Sequence, residues 1–295
     1  MRNMLFQKEC LPLIPVVLLF TLLAGGCKND SRNSPKDYAL AKPQSVELGK
    51  AMNEVSGITF NAEDSSLLAV SDSKEKVYQI NLVKKKLKDY TEKIVGPNSD
   101  LEDIVKVDTS LFLLMSKGIL VEVLKNSGDS SSIKTYDLGL AGSNDFETLY
   151  YDPTAGGGSL VLLCKTCARE KGYGVRTAFR FDLRTRTFDS ASFFTISREQ
   201  VKHLMKNDDA KFEPSAAAIN PINKRLYILS SAGHLLVIAN TRGQVMEAYD
   251  LDEDLFPQAE GIAFAPNGDM YITNEGKFRN PTLLRFAYQQ NGKKK

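Results

Sequence analysis

Three glutamates head short motifs that recur along the chain: Glu102-Asp103-Ile104, Glu147-Thr148-Leu149 and Glu260-Gly261-Ile262. Serines head two more, Ser56-Gly57-Ile58 and Ser215-Ala216-Ala217. Downstream of each motif an apolar run ends on a polar pair that carries Asp72, Lys117, Lys165, Ser231 or Glu275. Carboxylates gathered in a small space raise one another's pKa unless a cation offsets them. Such a cluster invites a hard cation, and calcium, with about six to eight oxygen ligands, suits it better than zinc. Glu102, Glu147 and Glu260 are the expected ligands, with Asp72 and Glu275 as secondary ones. Ser56, Lys117, Lys165, Ser215 and Ser231 complete the expected site, and Asp100, Asp103, Asp145 and Glu213 lie close in sequence. The competing reading makes each acid a latch on backbone amides of a neighbouring unit, or the partner of a lysine.

Hydrolysis needs an acid and a base, or an activated nucleophile. Carboxylates could serve, but the chain has only two histidines, His203 and His234, both expected in structural or surface roles. The sequence has no His-Glu-x-x-His, no Gly-x-Ser-x-Gly and no Gly-x-x-x-x-Gly-Lys. Gly156-Gly157-Gly158 reads as a hairpin turn, so nucleotide chemistry is not indicated.

The motifs start 46, 45, 68 and 45 residues apart. A period in the forties with several short strands per unit is that of propeller blades, not helical solenoids. The second runs are Leu67 to Asp72, Leu111 to Lys117, Leu160 to Lys165, Leu226 to Ser231 and Met270 to Glu275. Third runs follow in all five units, and fourth runs, such as Phe188 to Phe194, in four. The fifth unit lacks its fourth strand, while an orphan strand, Ser45 to Leu48, precedes the first motif. It is expected to complete the last blade and so remove the exposed sheet edges of an open array. The excess of the long interval, residues 195–211, reads as a helical insertion: Ser197 and Gln200 form a capping box, and Val201, Leu204 and Met205 give an apolar face. The fold class is therefore all-β, one propeller of five four-stranded blades over 45–288, with six blades as the alternative. In such a ring the first-strand starts and second-strand ends meet around one mouth of the central channel.

Lysine plus arginine, 38, nearly balances aspartate plus glutamate, 36, so global charge points neither to nucleic acid nor to an anionic membrane surface. The run Lys84-Lys85-Lys86-Leu87-Lys88 reads as a solvated hairpin turn. Arg2 and Lys8 precede an apolar stretch from Leu11 to Leu23 that is too short to cross a hydrocarbon core of about 30 Å. Residues 1–26 read as a signal peptide of lipoprotein type, because Ala24-Gly25-Gly26 leads into Cys27, the expected lipidated residue. Residues 27–44, rich in Ser, Asn, Lys and Pro, read as a flexible tether, and 289–295 as a polar basic tail. Localisation follows: the bacterial cell envelope, extracytoplasmic, with the bilayer as partner through Cys27. Of the remaining cysteines, Cys164 and Cys167 are either a short-range disulfide or unpaired thiols.

Taken together and in order, Glu54 to Asn61, Leu68 to Asp72, Asp100 to Ile104, Phe146 to Leu149, Arg225 to Ser231, Gln258 to Ala263 and Gly268 to Glu275 resemble the SdiA-regulated family of bacterial extracytoplasmic propellers. The resemblance covers about Val46 to Tyr288. It implies a propeller without an assigned activity, whose acidic motifs suit a calcium-like ion. The family's Asp-x-Glu-Gly stands here as Asp100-Leu-Glu-Asp103, and its third-unit Glu-Gly as Glu147-Thr148. The leading functional reading is an envelope propeller that binds a cation, and a small ligand or protein partner, at the mouth. A calcium-dependent hydrolase of esters, lactones or phosphoesters is the alternative, and a metal-free scaffold the third.

Overall fold

The computed structural model describes residues 33–290, apart from 92–93, 97–98, 125–132, 155–156 and 277–278. After β1 (Gln44–Glu47), the first blade is β2 (Val55–Asn61), β3 (Ser66–Ser71), β4 (Tyr78–Asn81) and β5 (Lys86–Asp89). The second is β6 (Leu101–Val107), β7 (Ser110–Met115), β8 (Ile119–Leu124) and β9 (Ile133–Asp137). The third is β10 (Asn144–Asp152), β11 (Ser159–Cys167), β12 (Val175–Asp182) and the short β13 (Thr187–Phe188), with β14 (Phe194–Ser197) also paired to β12. The fourth is β15 (Ala216–Ile219), β16 (Leu226–Ser230), β17 (Leu235–Ala239) and β18 (Val245–Asp250); the fifth is β19 (Ala259–Phe264), β20 (Met270–Asn274) and β21 (Thr282–Phe286). Each sheet is an antiparallel meander. β1 pairs with β21, from Gln44 opposite Arg285 to Glu47 opposite Thr282, so the N-terminal strand supplies the fourth strand of the last blade.

The innermost strands β2, β6, β10, β15 and β19 contact one another in sequence, and β19 meets β2 to close the ring. Hydrophobic clusters fill the spaces between adjacent blades. One joins Leu229 and Leu236 to Ile262 and Ile272, another Leu114 and Leu120 to Leu160 and Leu162, and a third Leu67 and Ile80 to Ala263 and Leu283. Second strands are sandwiched on both faces, which is why β3 and β16 read as nearly continuous apolar runs and are buried throughout. Each leucine so buried contributes about 1.5–3 kcal/mol. Outermost strands such as β5 and β9 face water and carry Lys, Thr and Asp.

The helical insertion is shorter than 195–211. Residues 194–197 extend blade three as β14, and the helix α1 runs Arg198–Met205, capped by Ser197, whose Oγ accepts from the Gln200 amide at 3.2 Å. The fourth run expected from Phe188 to Phe194 accordingly splits into β13 and β14, because both pair with the long β12.

Residues 33–43 differ from the flexible tether expected of 27–44. Tyr38 and Leu40 are buried with Tyr227, Phe264 and Tyr288, and the Tyr38 hydroxyl donates to the Gly268 carbonyl and accepts from Asn220 Nδ2, both at 2.6 Å. Two apolar side chains in a polar segment suffice to dock it. Residues 1–32, with the leader and Cys27, and the tail from 291 lie outside the described residues. No described helix is long and apolar enough to cross a membrane.

Candidate functional site at the channel mouth

The inner strands begin at one face, and the pairing of β6, β10 and β19 with their neighbours slips by one residue there. Leu101 faces Met115 but Asp103 faces Leu114; Phe146 faces Cys164 but Thr148 faces Leu163; Ala259 faces Asn274 but Gly261 faces Thr273. The residue left over in each case is Glu102, Glu147 or Glu260. A bulge turns the extra side chain out of the ordinary alternation, and here it turns three carboxylates toward the axis. β2 carries a similar slip between Val55 and Ile58, across Ser56.

Glu102, Glu147 and Glu260 line one cavity of about 200 Å³ together with Ser56, Asp72 and Glu275, as well as Glu54 and Gln258. Burial and then the neighbouring acids push Glu102 up to about 9. Glu260 is pushed to about 8 by burial and by Glu147. Burial raises Glu147 to about 7, held back by Lys165, whose ammonium bonds its Oε1. Lys165 also lies 3.9 Å from Asp145 Oδ2. Burial alone would lower the Lys165 ammonium, but Glu147 and Asp145 raise it. Glu147 Oε2 is buried without a hydrogen-bond partner.

Glu54 and Gln258 were not among the expected site residues, yet their signal is in the sequence. Each stands two places before its motif, as do Asp100, Asp145 and Glu213. The backbone uses this position repeatedly: the amides of Asp72, Ser116 and Glu275 donate to the carbonyls of Glu54, Asp100 and Gln258 at 2.9–3.2 Å. That pattern makes Ser116, not Lys117, the second-strand residue of blade two. Lys117 falls one place beyond it and is exposed. Ser231 bonds Glu260 through its side chain and Ser215 Oγ through its amide, so both serines brace the mouth without lining the cavity. His203 lies on α1, and His234 lies near the Phe256 carbonyl and Glu253; neither lines the cavity. Cys164 and Cys167 form a disulfide that brackets Lys165.

Latches exist, but other residues make most of them. Asp103, beside Glu102, is buried and accepts the amides of Ile104 and, from the next blade, Leu149, each at 2.8 Å. Ser215 Oγ donates to the Ala259 carbonyl at 2.8 Å, and Thr273 Oγ1 to that of Ser56 at 3.4 Å.

A family model described as SdiA-regulated matches residues 33–278. The chain belongs to the SdiA-regulated family. Solved structures with a similar fold include a putative gluconolactonase, 12% identical over 86% of this chain and 95% of that one, at a TM-score of 0.50. Another is the PQQ-bound aldose sugar dehydrogenase of Streptomyces coelicolor, 11% identical over 84% of this chain and 99% of that one, also at 0.50. These likenesses are of fold alone. Comparison with curated proteins gave no match. The departures of this SdiA-regulated chain from the expected Glu-Gly pattern now have a physical reading. A Cβ on Gly57 would lie 2.5 Å from the Asp103 Cα, and one on Gly261 2.7 Å from the Ser56 carbonyl oxygen. Inner strands approach too closely for two side chains, so Asp103 can stand in a glycine position because Gly57 faces it.

Proposed function

We propose that this protein is a lipid-anchored propeller of the bacterial envelope whose acidic mouth binds a calcium-like cation, with a small ligand or protein partner received at the same place. The observation that carries the cation reading is the set of three bulged glutamates in one cavity, one of them, Glu147, with one oxygen bonded by Lys165 and the other buried and unpartnered. The donors are all oxygens, as a hard cation requires. Among the described residues, no three mouth carboxylates bring oxygens within 4.8 Å of one another. An ion held there would keep part of its water shell, and it is the all-oxygen donor set that favours calcium over zinc.

Thermal unfolding of the chelator-treated chain, with and without calcium, tests this. At a hundredfold excess over Kd, calcium should stabilise by about 2.7 kcal/mol, a rise of roughly 5–10 °C. Glu102→Gln, Glu147→Gln and Glu260→Gln should each shrink that rise, and Glu102→Gln should stabilise the calcium-free protein by removing repulsion. No rise at millimolar calcium, or a rise indifferent to all three substitutions, would defeat the cation reading.

A pH dependence follows as well. These carboxyls hold protons more tightly folded than unfolded, so the stability they contribute is present below about pH 4.5 and is lost as pH rises through their folded values of about 7 to 9. Chelated protein should therefore weaken between pH 5 and 9, while the calcium-induced rise grows over the same window; scans across pH check both. A hydrolase is the second reading, favoured by the placement of Glu147, near 7, beside Glu102, near 9, as base and acid. Turnover of an ester, lactone or phosphoester that Glu147→Gln abolishes would support it.

A further inference from the structure

We propose that the face opposite the mouth docks on an anionic phospholipid bilayer, with the turn between β4 and β5 as its principal contact. This rests on the envelope anchoring above and adds which side of the ring meets the membrane. Strand direction sorts the loops: because inner strands start at the mouth, turns between first and second strands and between third and fourth strands lie on the opposite face.

Large apolar side chains are left in water on that face. Val83, at the tip of the β4–β5 turn, is 89% exposed; Ile222, between β15 and β16, is 44% exposed, and Met246, at the start of β18, 42%. Val83 is followed by Lys84, Lys85 and Lys86, all exposed and in no ion pair among the described residues. Arg184, Lys224 and Arg242 stand exposed on other turns of the same face. Several acids there are already engaged: Glu63 pairs with Lys106 at 2.8 Å, Asp64 accepts from Asn61 and Ser66, and Asp182 from two amides of its own turn. The balanced total charge thus conceals a local excess at one tip, where Lys84, Lys85 and Lys86 stand together beside Val83.

Two further features point the same way. A cavity of about 280 Å³ on the flank between β1 and β5 is lined by Leu82, Leu87 and Leu283 together with Glu47 and Arg285, and Lys85 and Lys86 border it next to the β4–β5 turn. Residues 33–43, through which Cys27 joins the ring, also lie here, with Tyr38 on the Gly268 carbonyl and Asp37 3.3 Å from Asn223. An acyl anchor holds a protein at a membrane but does not orient it; exposed lysines and an apolar tip do. Docked in this way, the ring presents its mouth away from the bilayer.

The test is hydrogen exchange of the full lipidated chain on floated vesicles of phosphatidylcholine alone or mixed with phosphatidylglycerol. Phosphatidylglycerol should protect the β4–β5 and β15–β16 turns and not the mouth, and salt should reverse this. Lys84→Gln, Lys85→Gln and Lys86→Gln, all exposed, should each weaken protection about five-fold while leaving flotation intact. Flotation without protection of these turns, protection at the mouth instead, or equal protection on neutral vesicles overturns the docking and leaves the anchor standing. Failure to float overturns the anchor as well.

Discussion

Asp103→Ala is expected to destabilise the protein by about 2–5 kcal/mol, because it strands two buried amides at once, each worth about 1–3 kcal/mol when left without a partner. The side chain is 3% exposed, and its two oxygens are divided between the Ile104 amide on its own strand and the Leu149 amide on the next blade. Complete burial raises its carboxyl well above the usual range, although both amides pull the other way. Asp103→Asn keeps one carbonyl acceptor and should cost about half as much. Chemical denaturation separates the variants, and a loss below about 0.5 kcal/mol for alanine would mean that water reaches Leu149. Calcium should still raise the transition of the asparagine variant, since Asp103 does not line the cavity.

Neighbouring residues with such different duties show where the sequence is legible and where it is not. The five units can be read because each repeats an apolar strand between polar ends, and the closing strand because the last unit lacks a partner that the first has to spare. The local cap of α1 is equally plain, with Ser197 and Gln200 three residues apart. What periodicity does not disclose is the bulge. Strict alternation lets only one of Glu102 and Asp103 face inward, whereas the slipped register points one to the axis and the other into the next blade. The same kind of displacement puts Ser116 where Lys117 was expected. Tyr38 escapes for another reason: its hydrogen-bond partner Asn220 lies 182 residues away, and a single tyrosine in a polar segment carries no period.

Arg176→Ala should be as damaging as any change at the latch, at about 3–5 kcal/mol, because it leaves Glu170 as an uncompensated buried charge. Arg176 is 5% exposed and Glu170 6%. Arg176 Nη1 donates to Glu170 Oε2 at 3.1 Å and its Nε to the Phe212 carbonyl at 2.9 Å, while Glu170 Oε1 also takes the Thr177 amide. One guanidinium therefore ties the turn after the Cys164–Cys167 disulfide to β12 and to the segment that leads into β15. Removing both charges is the informative control. Arg176→Met with Glu170→Gln keeps an acceptor for Thr177 and buries no ion, so it should recover more than half of the loss. A double-mutant cycle from urea unfolding measures that coupling. If Arg176→Ala costs less than about 1 kcal/mol, water has reached Glu170 and the segment before Ser215 is not held by charge. If the cost is large and uncoupled, the Phe212 carbonyl, not Glu170, is what Arg176 chiefly serves.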